Sequence, residues 1–137
     1  MRRFSRAWIA VAVLAAATAC GSDDDSTSPI VGASGTWSLQ SINGSALPVT
    51  IGSGTQAVSV IASTLTISSN GNYNEAVTLR PARASSNTTF TEIGTWSFTN
   101  GVVTFNDQTD GITYTGSVNG NTLTENTAGF VSVYARQ

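Results

Sequence analysis

There is no histidine and no lysine in this 137-residue chain, and its single cysteine is Cys20. Without histidine, the Ser-His and Cys-His nucleophile pairs and the imidazole metal sites are excluded. A lone cysteine excludes an intrachain disulfide. Charge is scarce as well, at 10% of residues. From Cys20 onward the cations are Arg80, Arg83 and Arg136, set against Asp23, Asp24, Asp25, Glu75, Glu92, Asp107, Asp110 and Glu125. A nucleic-acid partner requires a basic stripe that displaces counterions from phosphates, and three scattered arginines do not form one. The longest apolar run, residues 7–19, has thirteen positions, short of the roughly 20 that a spanning helix needs.

That run follows Arg2, Arg3 and Arg6 and ends in small residues, which is the architecture of an export signal. A retained transmembrane helix is the less favoured alternative on length. At the end of the run, Ala17-Thr18-Ala19-Cys20-Gly21 resembles the lipobox of bacterial lipoproteins, with Ala17 where Leu is usual. The resemblance implies cleavage after residue 19, acylation of Cys20 and membrane attachment through the acyl chains, each buried CH₂ contributing about 0.8 kcal/mol. It also implies a place in the cell envelope, on the periplasmic face of the outer membrane or at the cell surface, because Gly21 rather than an acidic residue follows the cysteine. Residues 20–34 are polar with three adjacent aspartates and little to bury, so they read as a disordered acidic tether spanning about 20 Å. Asp23 to Asp25 read as solvated linker rather than a cation site.

Residues 35–137 form the one domain. Asn100-Gly101 lies between two alternating runs and predicts a type I′ hairpin. Strands are predicted over residues 35–42, 47–51, 57–67, 73–79, 88–99, 103–105, 112–118, from 122, and 130–135, with almost no helix. In 57–67 the apolar parity changes, from Val58 and Val60 to Ile61, Leu65 and Ile67, which predicts a bulge near Ala62-Ser63. Eight or nine short strands joined mostly by hairpins give an all-β, up-and-down antiparallel barrel, closed by pairing the terminal run with the first strand. A β-sandwich is the alternative and requires longer cross-over connections. A transmembrane barrel would need an apolar outer face, where this chain has Thr113, Thr115 and Ser117.

Gly35-Thr36-Trp37 resembles the Gly-x-Trp that opens lipocalins and lipocalin-like bacterial lipoproteins, and Gly94-Thr95-Trp96 nearly repeats it. The resemblance covers residues 35–136 and implies a barrel plugged at one end by Trp37. The terminal arginine that packs on that Trp in lipocalins has Arg136 as its counterpart here, although a frayed chain end is the simpler reading. It further implies a small apolar or amphipathic ligand, for which Tyr73, Trp96, Phe98, Phe105 and Tyr114 are the candidate lining. Phe90, Trp96, Phe98 and Phe105 are all expected to face the interior.

No residue pattern calls for a cofactor or a metal. The carboxylates Glu75, Glu92, Asp107, Asp110 and Glu125 are expected to face outward, and Asp107-Gln108-Thr109-Asp110-Gly111 reads as a turn rather than a calcium loop. The function expected is non-catalytic: a membrane-anchored lipoprotein whose domain has a structural role or meets an envelope protein partner. The alternative is an apolar ligand held in the barrel, for which an interior cavity of about 300 Å³ or more is the criterion.

Overall fold

The alternating sequence, punctuated by Asn-Gly, folds into ten antiparallel strands. They are β1 (Gly35–Ile42), β2 (Ser45–Ala46), β3 (Val49–Ile51), β4 (Val58–Ile67), β5 (Asn72–Pro81), β6 (Thr88–Thr99), β7 (Val102–Asp107), β8 (Thr113–Asn119), β9 (Thr122–Thr127) and β10 (Phe130–Arg136). The computed structural model describes residues 32–137; the leader, Cys20 and the tether up to residue 31 lie outside the described residues. Among the described residues the one helical element is a 3-10 turn, Gly54–Gln56.

From β4 to β10 each strand pairs with its sequence neighbour, β10 pairs with β1, and β1 pairs with β4. That last pairing closes an eight-stranded barrel, so the up-and-down architecture holds and the sandwich does not. The short strands β2 and β3 are not staves of the closed wall. β1 and β4 pair only over Gly35–Ser38 and Thr64–Ile67, and where they part β2 pairs with the end of β1 and β3 with the start of β4. Each spreading edge thus regains hydrogen-bond partners that an open sheet would leave unpaired.

The change of parity in β4 is a bulge: the register with β5 shifts between Val60 and Ala62, so that Val60, Ser63, Leu65 and Ile67 all face inward. The extra residue keeps the apolar set on the core face. At Asn100-Gly101 both residues have positive φ, at 53° and 80°, as a type I′ turn requires. Between β8 and β9 the turn residues are Gly120 and Asn121 rather than Asn119 and Gly120, since Asn119 pairs with Thr122. This register sets Val118 beside Leu123.

One end of the barrel is closed. Trp37 is fully buried, its indole N–H donates to the Ala33 carbonyl at 2.8 Å, and the Arg136 guanidinium lies 4.1 Å over its ring. Arg136 also donates through Nη2 to the Gly32 carbonyl at 2.9 Å and through Nη1 to that of Ser34. Arg136 is therefore not a frayed end but a clamp on the plug. Residues 32–34, placed by sequence in the tether, pack on this end, with Ala33 in the core.

Phe90 corrects another expectation. It shares the inward parity of Trp96 and Phe98 but is 53% exposed. β6 pairs with β7 only from Gly94 onward, whereas β5 accompanies it from Thr88. The β5–β6 hairpin thus overhangs the barrel rim, and inward parity there meets solvent. On the outer wall Thr113, Thr115 and Ser117 are exposed.

Candidate binding pocket

Three of the aromatics singled out by sequence meet in the barrel centre. Tyr73 on β5 meets Phe105 on β7 edge to face, and Phe105 stacks on Tyr114 of β8, both with ring centroids 5.0 Å apart. The Tyr114 hydroxyl donates to that of Tyr73 at 3.4 Å. Trp96 is buried elsewhere, its indole N–H held by the Ser68 carbonyl at 2.8 Å in the β4–β5 turn, and Phe98 is partly buried against the core. Four of the five are core members and Phe98 packs against them, and only Tyr114 borders the cavity described next.

That cavity, of about 210 Å³, lies at the end opposite the Trp37 plug. Its wall carries Glu75 of β5, Glu92 of β6, Asp107 of β7, Tyr114 of β8, Glu125 of β9 and Tyr134 of β10, with Asp110 and Ile112 from the β7–β8 turn. Glu75, Asp107 and Glu125 are only 5%, 5% and 4% exposed. The expectation of outward-facing carboxylates is thus overturned for these three, and for the half-buried Glu92 on the same cavity wall. Each of the three lies on the parity of an apolar neighbour two residues away: Glu75 between Tyr73 and Val77, Asp107 after Phe105, Glu125 after Leu123. Strand alternation contained the signal, but the general preference of charge for water overrode it.

Register places the groups closely. Glu75 is directly opposite Glu92 in the β5–β6 ladder, a like-charge arrangement that destabilises a sheet when both are ionised. Glu125 is opposite Gly116 on one side and Ser132 on the other. The missing side chain at Gly116 leaves room for the Glu125 stem: a Cβ there would come within 3.2 Å of its Cγ. Asp107 is partly engaged in its own turn, its Oδ1 accepting from the Thr109 N–H at 2.7 Å and the Asp110 N–H at 3.4 Å. That loop is a turn, as expected, pinned to β6 by the Gln108 N–H on the Ile93 carbonyl at 2.9 Å.

Hydrogen bonds are shared unequally among the acids. Glu75 Oε1 accepts from the Tyr134 hydroxyl at 2.8 Å and from the Ser63 hydroxyl, whereas Glu125 Oε1 is buried with no partner. Burial raises the pKa of Glu75, with the Ser63 and Tyr134 hydrogen bonds opposing. Glu125 is pushed up to about 8 by burial and then by the Glu75 charge, with the Tyr134 hydroxyl opposing, and Glu92 to about 7 by burial with Glu75 and Asp107 adding. Burial also lifts the Tyr73 phenol to about 12. The arginines are engaged elsewhere: Arg80 bonds Asn87, Arg83 is exposed and Arg136 sits at the closed end. Among the described residues no group of three or more Asp, Glu, His or Cys could hold a metal ion.

Fold and site together define an eight-stranded, closed, antiparallel up-and-down barrel consistent with a lipocalin-like fold. The chain matches no protein-family model and no curated protein sequence.

Proposed function

We propose that this chain is an envelope lipoprotein anchored through acylated Cys20, whose barrel is a self-filled, non-catalytic scaffold with a structural or protein-interaction role. The close packing of Tyr73, Phe105 and Tyr114 at the barrel centre carries this reading. Small barrels are usually filled by their own side chains, and the apolar interior here is occupied by Trp37, Leu65, Ile67, Val103, Phe105 and Leu123, all fully buried. An apolar ligand has less support, since the cavity at the open end is below about 300 Å³ and walled by carboxylates. The order of arginines, short apolar run and Cys20 supports the anchor. Chain entering at Gly32 meets the closed end, so a tether from Cys20 joins the barrel at its plugged end and not at the acidic mouth.

Two measurements test the proposal. Cys20→Ser should lose acylation and move from the membrane fraction to the soluble one; a variant still membrane-bound with its leader uncleaved would mean that residues 7–19 are the anchor. Apolar fluorescent probes and lipid extracts should leave the tryptophan emission of the wild-type chain unchanged. Quenching at micromolar probe would restore the apolar-ligand function.

A further inference from the structure

We propose that the acidic cavity at the open end of the barrel is a binding site for a small organic cation, with an ammonium group seated between Glu125, Glu75 and Glu92. This site is independent of the anchor and of how the apolar core is filled.

Five observations point to it. Carboxylates arrive from four of five consecutive wall strands, β5 to β7 and β9, with β8 supplying Tyr114, and line one cavity. Glu75, Asp107 and Glu125 are buried without a protein cation, the three arginines of the domain being engaged or exposed elsewhere. Glu125 Oε1 has no hydrogen-bond partner although it is buried, and an unsatisfied buried acceptor costs about 1–3 kcal/mol. Glu75 and Glu92 stand opposite each other on paired strands, where a shared cation would remove their repulsion. Tyr134 and Ser63 donate their hydroxyl protons to Glu75 Oε1, and Glu125 Oε1 receives neither.

The chemistry of the occupant follows. A bare divalent ion needs several oxygens converging at 2.0–2.6 Å, and no such group exists among the described residues. An ammonium group instead presents separate donors to carboxylates spread around it. The remaining wall contributes Ile112 beside Tyr114, Thr127 and Ser132, a surface suited to a short carbon chain or a single ring. At about 210 Å³ the cavity is too small for drug-sized ligands, which need about 300 Å³ or more.

Occupancy depends on pH. The titratable groups that line the cavity with Glu125 are Glu75 from β5, Glu92 from β6, Asp107 from β7, Asp110 from the β7–β8 turn, Tyr114 from β8 and Tyr134 from β10, and none is cationic. At low pH the raised acids are protonated and need no counterion; as pH rises through about 7 to 8 they ionise, and affinity for a cation rises with them.

The test is calorimetric and thermal titration of the purified full-length chain in detergent, at pH 8 and pH 5 and constant ionic strength. The probes are 1,4-diaminobutane, 2-phenylethylamine, the uncharged 1,4-butanediol and calcium chloride. At least one ammonium probe should bind and raise the melting temperature at pH 8, at least tenfold more tightly than at pH 5, with no effect of the diol. Glu125→Gln should weaken binding tenfold or more while leaving the melting temperature at pH 8 equal or higher, which separates lost binding from lost fold. Thr127→Lys, which sets an ammonium on the cavity wall, should raise the melting temperature at pH 8 and block both probes. Absence of ammonium binding at millimolar concentration, equal binding by Glu125→Gln, or stabilisation by calcium alone would each overturn the proposal.

Discussion

Ala128 adopts φ = 50° at the first position of the β9–β10 turn, followed by Gly129 at 85°. The other two-residue turns of this kind, Asn43-Gly44 and Asn100-Gly101, place Asn there, whose short polar side chain tolerates the left-handed region. Alanine in that region costs about 1–2 kcal/mol, so Ala128→Asn should stabilise the barrel by about 1 kcal/mol. For a domain of this size that corresponds to roughly 4–8 °C in melting temperature, read by circular dichroism; an unchanged transition would mean that the strain is absorbed elsewhere. The same turn marks a limit of sequence reading. Asn-Gly announces a hairpin because both residues accept positive φ, whereas Ala-Gly announces nothing, and the position of this turn follows only from the strands around it.

At the scale of elements, the parity change in β4 was legible because a bulge is the one device that keeps apolar residues inward across it. The exclusion of β2 and β3 from the wall was not, because direct pairing of β1 with β4 joins partners as far apart as Gly35 and Ile67, which no local pattern encodes. Nor was the acidic pocket, since alternation places Glu75 and Glu125 inward while hydrophobicity alone places them outward, and only the closed barrel decides between the two. Close approach of strands gives one inward glycine a demanding role. A Cβ on Gly94 of β6 would collide with the Asn106 carbonyl of β7 and come within 2.6 Å of the Tyr73 ring. The carbonyl is part of a paired strand and cannot turn aside, so Gly94→Ala should destabilise by about 2 kcal/mol or more, within the 1–3 kcal/mol or greater typical of overpacking. Denaturant titration measures this directly. A wild-type midpoint for Gly94→Ala would show that β6 and β7 can separate without loss.

For the whole molecule, the buried acids couple stability to pH with a definite sign. Carboxylates ionise near 4.3 in an unfolded chain, whereas burial in the barrel raises Glu75, lifts Glu92 to about 7 and lifts Glu125 to about 8. Between these limits the folded state binds more protons than the unfolded state, so the free energy of unfolding falls as pH rises. The stabilising contribution is complete below about pH 4, where both states are protonated, and is lost progressively up to about pH 8. Glu92 is half-exposed and solvent screening reduces its share, so Glu75 and Glu125 dominate. A loss on the order of 2 kcal/mol between pH 5 and pH 8 would lower the melting temperature by roughly 8–16 °C. In Glu125→Gln the upper part of that fall, near pH 8, should disappear while the lower part remains. A cation bound in the mouth should flatten the same profile from the other direction, because binding to the folded state adds stability where the acids are ionised. Melting temperatures that are level from pH 5 to pH 8 without any added ligand would mean that the acids ionise in the folded barrel as freely as in the unfolded chain.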